Sequence, residues 1–173
     1  MLYPVVDVEP KLADNQVGLG MDIGLLPSRK AAFEQARDEQ RVIATAPLRL
    51  LPPFNTTGYV LYSPVYNERG FVGCINFAFR VDQLLNGFAH GKRIAMNFRV
   101  YDATDTRQLD YLGEVTRQGE FDTASSLVRS DDAEAVPHSV DFAGRKMLIL
   151  FDPPPDLASR RRAMFPGREG LAD

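Results

Sequence analysis

GYVLYSPVYNERGFVGCINFAFRVDQLL, residues 58–85, holds the two most apolar segments of the chain and the tightest connection between them. Tyr59–Tyr66 and Phe71–Phe79 are rich in aromatic and β-branched residues, which suit a pleated and half-buried surface. Asn67-Glu68-Arg69-Gly70 supplies turn residues between them. The stretch therefore predicts a hairpin at the centre of a sheet. Residues of both parities are apolar in each run (Val60, Tyr62 and Val65 against Tyr59, Leu61 and Tyr66), as expected of central strands covered on both faces rather than of exposed edges. After Arg80 the apolar spacing changes to three and four, in Val81, Leu84 and Leu85, so the second strand feeds a short helix.

The sequence has 173 residues, of which 45 % are hydrophobic, enough to build a core in one domain or in two small ones packed together. Its formal charge of −3, from 20 basic and 23 acidic residues, gives no electrostatic argument for a nucleic-acid partner. Cys74 is the single cysteine, so no intrachain disulfide forms, and inside a strand it reads as a small buried apolar side chain. No run approaches the about 18 apolar residues that span a bilayer, and Met1-Leu-Tyr-Pro-Val5 has no signal-peptide pattern. The expectation is either a soluble cytoplasmic protein or a piece of something longer.

Upstream of the hairpin, Tyr3–Pro10 alternates around β-branched residues and predicts a strand. Val17–Ile23 predicts a second, weakened by Gly18 and Gly20. Gly18-Leu-Gly20-Met-Asp-Ile-Gly24 has the spacing GxGxxxG, not GxGxxG, and no strand-turn-helix follows it directly, so it carries no dinucleotide expectation. Pro27 and Ser28 open a helix with Ala31, Ala32, Phe33 and Ala36 on one side, ending near Gln40. Arg41–Leu51 returns to extended structure, with Thr45 expected to bond backbone near a bend at Pro47, and Pro52–Gly58 is a loop. Asp82 is expected to cap the helix that follows the hairpin.

Downstream, Arg93–Asp102 alternates with Ile94, Met96, Phe98 and Val100 on one face. Leu109–Gly113 is its partner, Val115–Ala135 is loop with short irregular pieces, and His138–Phe142 with Arg145–Phe151 forms a final hairpin. Two antiparallel sheets with helices packed on them emerge, at about 1–86 and 87–155, an α+β class.

Tyr3-Pro-Val-Val-Asp-Val-Glu-Pro10, Gly20-Met-Asp22, Arg29 with its alanine-rich helix, Ala44-Thr-Ala-Pro47, Tyr62-Ser-Pro-Val-Tyr66, Gly70-Phe-Val72 and Phe79–Leu85 occur in an order and spacing that resembles a CHASE domain. The resemblance covers about residues 3–87, and Val100-Tyr101-Asp102 is similar to the start of the family's second half. It implies an extracytoplasmic sensory module of membrane-bound histidine kinases, nucleotide cyclases or diguanylate cyclases, the group that includes the plant cytokinin receptors. It also implies two PAS-like subdomains: membrane-distal (1–86, the ligand-binding candidate) and membrane-proximal (87–155), with a juxtamembrane tail (156–173). The family's long N-terminal helix and its flanking membrane spans are not in this sequence. Expected partners are a small-molecule ligand, a second copy in a homodimer of the full receptor, and the membrane through those flanking helices. The expected location is the periplasmic or extracellular side of a plasma-membrane protein.

The resemblance carries a site. In the cytokinin-receptor branch an aspartate early in the distal subdomain recognises the adenine ring, and Asp22 holds that place. As a carboxylate it accepts hydrogen bonds from an amine or ring N–H. Two roles stay open for it: ligand recognition, or capping of the next turn and pairing with Arg29. Ala44, Leu61, Ser63 and Phe79 match positions on the family's pocket-lining strands, with core packing the alternative for each. A larger residue stands in the plant pattern where Ala44 stands here, so a cytokinin does not follow. No cofactor, metal set or catalytic group is expected: His90 falls in a loop, and two histidines with one cysteine lack zinc spacing. His138, Ser139 and Asp141 lie on a strand where neighbours point to opposite faces, so a small hydrolase using His138 is the weakest alternative. The main rival to a ligand sensor is a ligand-free dimerisation or protein-interaction module with a filled core.

Overall fold

The computed structural model describes residues 2–13, 16–50, 56–89, 96–118, 120–122 and 135–152, and shows two antiparallel sheets with two helices of more than one turn. The first sheet is built on β3 (Thr57–Asn67), which pairs along one edge with β1 (Ile43–Ala44) and β2 (Leu48–Arg49) and along the other with β4 (Gly70–Arg80). The second sheet runs in the order β7 (Phe121–Asp122), β6 (Asp110–Val115), β5 (Phe98–Asp102), β9 (Arg145–Phe151), β8 (Val136–Phe142). Helix α1 (Pro27–Glu39) lies on the first sheet, and α2 (Val81–Ala89) follows β4 without a break.

Local chemistry explains these limits. Pro27 stands in the first turn of α1, where its missing N–H costs nothing, and Gln40 closes the helix in the left-handed conformation at φ 55°. Ala32, Phe33 and Ala36, spaced three and four apart, bury one stripe of α1 against Ile43, Val60 and Tyr62 of the sheet. On the opposite face of β3, Tyr59 packs with Ala44, with Val81 and Leu85 of α2, and with Val100, Leu112, Val115 and Met147 of the second sheet. The two sheets thus share one core.

A polar cluster lies within this contact. Asp102, on β5 and only 1 % exposed, accepts hydrogen bonds from Tyr59 Oη at 3.0 Å, Arg145 Nε at 2.8 Å and the Thr104 backbone N–H at 3.0 Å. Burial pushes its carboxyl upward, but the Arg145 guanidinium and the Thr104 donors outweigh this and hold it below its ordinary 3.8. A carboxyl whose folded pKa is depressed contributes stability above its unfolded pKa and loses it as pH falls through the folded one. The urea midpoint should therefore hold between about pH 7 and 5 and fall below about pH 4. In Asp102→Asn, measured over the same range, part of that acid slope should disappear.

Three expectations change. Tyr3–Pro10 is not a strand: it runs beside residues 20–23 through Val5 N–Met21 O (3.0 Å), Gly20 N–Val5 O (2.8 Å) and Ile23 N–Tyr3 O (3.0 Å), with a single bridge at Pro4 and Asp22. Val17–Ile23 is not a strand either, because its glycines leave two short 3-10 turns, Gln16–Gly18 and Ile23–Leu25. Of the two strands of the hairpin only β3 is central. Among the described strands β4 has no second partner, and Val72, Ile75, Phe77 and Phe79 are exposed on it. The start of the strand expected from Arg93, like His90 and the tail from residue 153, falls outside the described residues.

Candidate functional site

Asp22 is the N-cap of the Ile23–Leu25 turn: its Oδ1 accepts from Gly24 N and Tyr3 N, both at 2.8 Å. Those two backbone donors, Tyr3 first, hold the carboxyl below its ordinary range. One carboxylate oxygen thus fastens the N-terminal segment to the entrance of α1. The Tyr3 ring then packs on Phe33 of α1 at 4.5 Å, and Phe33 meets Tyr62 and Phe71 edge-on at 5.8 Å each. Asp22 and Tyr62 stand at the two ends of this aromatic cluster.

Tyr62 is the unusual member. Its side chain is 0 % exposed, and its hydroxyl has no hydrogen-bond partner. Burial chiefly pushes its pKa up to about 12, with Arg29 opposing and Cys74 adding to the shift. A buried hydroxyl without a partner costs about 1–3 kcal/mol and calls for an explanation, such as strain, a functional role, or a water or ion that completes it. Sequence reasoning missed Tyr62, Tyr3, Phe33 and Phe71 as a set. The available signal was parity: Val60 and Tyr62 share the strand face opposite Leu61 and Ser63.

The strand register separates the five residues singled out from sequence. Ala44 lies opposite Leu61, Phe79 opposite Tyr59, and Ile75 opposite Ser63. Ala44, Leu61, Ser63 and Phe79 therefore share the sheet face that bears Tyr59, turned away from α1, and Asp22 lies on the α1 side with Ile23 and Tyr3. Ala44 is buried, and Leu61 packs partly against the inter-sheet core. Phe79 is 38 % exposed and continues through Phe77 and Ile75 into an apolar face without a charged side chain.

Other candidates resolve simply. Asp82 sits in the first turn of α2, accepts from Gln83 N at 2.8 Å and pairs with Arg80 at 2.5 Å. Thr45 Oγ1 accepts from Val60 N at 3.1 Å. His138 is exposed on β8, and Asp141 accepts from Gly144 N at 3.3 Å. Among the described residues no group of His, Cys, Asp and Glu could hold a metal ion, and no helix is long and apolar enough to cross a membrane. Cys74 packs against the α1-side core, where burial pushes its thiol up to about 11. Iodoacetamide at pH 8 should therefore alkylate it about a hundredfold more slowly than free cysteine, because the thiolate fraction falls by that factor.

The sequence pattern of the CHASE domain matches residues 1–112, from the N-terminal segment through α1 and the first sheet into β6. The chain belongs to the CHASE domain family. A CHASE domain is an extracytoplasmic sensory domain, and this chain is one. No curated protein matches the sequence. Among solved structures, an extracellular ligand binding receptor from Desulfohalobium retbaense DSM5692 is similar over 84 % of this chain and 27 % of its own, at 13 % identity and a TM-score of 0.52. The ligand binding domain of Mlp24 with asparagine is similar over 82 % of this chain and 61 % of its own, at 13 % identity and a TM-score of 0.35. The chain thus spans about a quarter of the receptor and under two thirds of the Mlp24 domain. The receptor likeness bears on the fold: this CHASE domain has the α+β, PAS-like architecture of antiparallel sheets.

Proposed function

We propose that this CHASE domain is the small-molecule-binding portion of a transmembrane receptor of the histidine kinase or cyclase type, on the periplasmic or extracellular side of the plasma membrane. The ligand enters between α1 and the first sheet. The observation that carries this reading is the buried, unpartnered hydroxyl of Tyr62, whose ring meets Phe33, the ring on which Tyr3 and Phe71 also pack. A guest with an apolar ring and one polar edge meets the requirements of that place: the rings accept its faces and the hydroxyl its polar atom. Asp22 anchors the segment that closes over it and favours an amine or ring N–H over an anion. Ala44, Leu61, Ser63 and Phe79 lie on the other face and stand outside this site.

Signalling needs a ligand with different affinity for two arrangements of the chain. The shared core and the Tyr59–Asp102 bond support transmission from the first sheet to the second, and from there through flanking helices of a homodimeric receptor to a cytoplasmic enzyme. In this reading the CHASE domain senses and the enzyme is a separate part of the receptor.

The test is a thermal-shift screen against purines, amines and amino acids. A compound that binds only the folded state adds about 2.7 kcal/mol at a hundredfold excess over its Kd. A hit lost in both Asp22→Ala and Tyr62→Phe supports the reading. A second reading, a ligand-free interaction module, draws on the exposed apolar face of Ile75, Phe77 and Phe79. It gains if no compound in the screen shifts a well-folded protein and Phe77→Lys abolishes self-association.

A further inference from the structure

We propose that two copies of this chain join along the outer edge of β4, by antiparallel pairing of the two β4 strands about a two-fold axis at Asn76. The backbone shows that this edge is open. Val60 N donates to Thr45 Oγ1 at 3.1 Å and Val60 O accepts from Thr45 N at 3.0 Å, so the main-chain groups of Val60 point away from β4. Main-chain direction alternates along a strand, which leaves Tyr59 and Leu61 to bond β4 through Phe79 and Phe77. Ala78, Asn76 and Cys74, opposite Val60, Tyr62 and Pro64, therefore aim their N–H and C=O groups outward. Among the described residues no other strand meets those groups.

Natural sheets guard a bare edge with charge, proline or shortness. β4 uses none of these: it runs for 11 residues, and its only charged side chain is Arg80 at the far end. Ile75, Asn76, Phe77, Ala78 and Phe79 are all exposed, so both faces of this half of the strand stand clear. Ile75 is 55 % and Phe77 48 % exposed, which water disfavours and a covering partner relieves.

A second β4 fits this edge better than an unrelated strand does. The register shift beside Val65 and Tyr66 leaves 73–79 as the regular part of β4, and Asn76 is its middle. Pairing Asn76 with its own copy sets Ile75 against Phe77 of the second copy, Cys74 against Ala78 and Gly73 against Phe79. The largest side chain thus falls on the smallest, and the space beside Gly73 is open: a Cβ there meets nothing within 4 Å. Ile75 and Phe77 of both copies form one apolar cluster, and the two Asn76 amides meet at the axis, each with donor and acceptor. No charged side chain lies in 73–79, so the strand meets its copy without like-charge repulsion. Seven residues from each copy bury roughly 1,000 Å² in total, the lower limit of a specific interface, which makes the dimer weak and concentration-dependent. The two four-stranded sheets become one continuous sheet. This pairing does not depend on what binds at the α1 face.

Disulfide trapping reads the register. Cα atoms of an opposed pair that exchanges both hydrogen bonds stand about 5.5 Å apart, within the about 4.4–6.8 Å that a disulfide spans. In a Cys74→Ala background, Asn76→Cys should therefore oxidise to a covalent dimer. Ala78→Cys in the same background should not, because its copy lies four residues, roughly 13 Å, along the strand. Sedimentation equilibrium of the unaltered chain should show a monomer–dimer equilibrium, which Phe77→Lys weakens about tenfold or more. Ala78→Pro, which removes only an outward N–H and leaves the ladder to β3 intact, should weaken it as much. Urea midpoints check that the variants are folded; should Ala78→Pro fail that check, the two cysteine variants, at exposed positions, still decide. The proposal is overturned if the chain sediments as a monomer at about 1 mM, or if Ala78→Cys cross-links as readily as Asn76→Cys. Association that survives in folded Ala78→Pro but not in Phe77→Lys also overturns it, and assigns the contact to the sheet face instead of the edge.

Discussion

Asp102→Ala is expected to destabilise the protein by about 3–5 kcal/mol, the cost of removing one partner from a buried ionic cluster. The carboxylate is 1 % exposed and receives Tyr59 Oη, Arg145 Nε and Thr104 N. Its loss leaves the Arg145 guanidinium, whose side chain is 16 % exposed, without this counter-charge, and takes from the Tyr59 phenol its carboxylate acceptor within the core. A loss of that size is a large share of a typical total stability of about 5–15 kcal/mol. Tyr59→Phe removes one hydrogen bond and leaves Asp102 with its other two, so it should cost only about 1 kcal/mol. The two changes should not add, because they share a partner. Urea unfolding of the three variants reads all of this. A loss below about 1 kcal/mol for Asp102→Ala would mean that the cluster does not hold the sheets together.

Tyr62→Phe should do the reverse. Phenylalanine keeps the ring in place against Phe33 and removes a buried hydroxyl that has no partner, so the ligand-free protein should gain about 1–3 kcal/mol. The thermal response to a ligand of the α1 face should fall in the same variant. Higher resting stability together with weaker binding distinguishes a hydroxyl kept for recognition from one kept for structure. If Tyr62→Phe instead destabilises the protein and binds as before, the hydroxyl serves the fold.

The hairpin at residues 57–80 was legible because aromatic and β-branched runs flank turn residues, and the shift to helical spacing at Val81 was equally plain. The second sheet followed from the alternation around Phe98 and Val100 and from the paired runs His138–Phe142 and Arg145–Phe151. What sequence left out was lateral position. Apolar residues of both parities in β4 suggested a strand covered on both faces, yet Ile75 and Phe77 are exposed, because composition does not say which strand ends a sheet. The same limit split the candidate site. Ala44, Leu61, Ser63 and Phe79 were grouped through resemblance to a family pocket, and only the register shows that they face away from Asp22. The dual reading of Asp22 was sound as far as the capping half goes, since the cap at Gly24 is a local interaction that a sequence displays. The contact of Tyr3 with Phe33, thirty residues away, is not local, and neither is the missing partner of Tyr62.

Hydrogen exchange measured with and without the compound that gives the largest thermal shift tests the central claim most directly. Binding between α1 and the first sheet predicts slowed exchange in the backbone amides of Tyr3–Leu25, α1 and the Val60–Ser63 segment of β3, with smaller changes in β5 and β9. Protection confined to the outer edge of β4, with α1 and Tyr62 unchanged, would contradict it and favour an interaction surface.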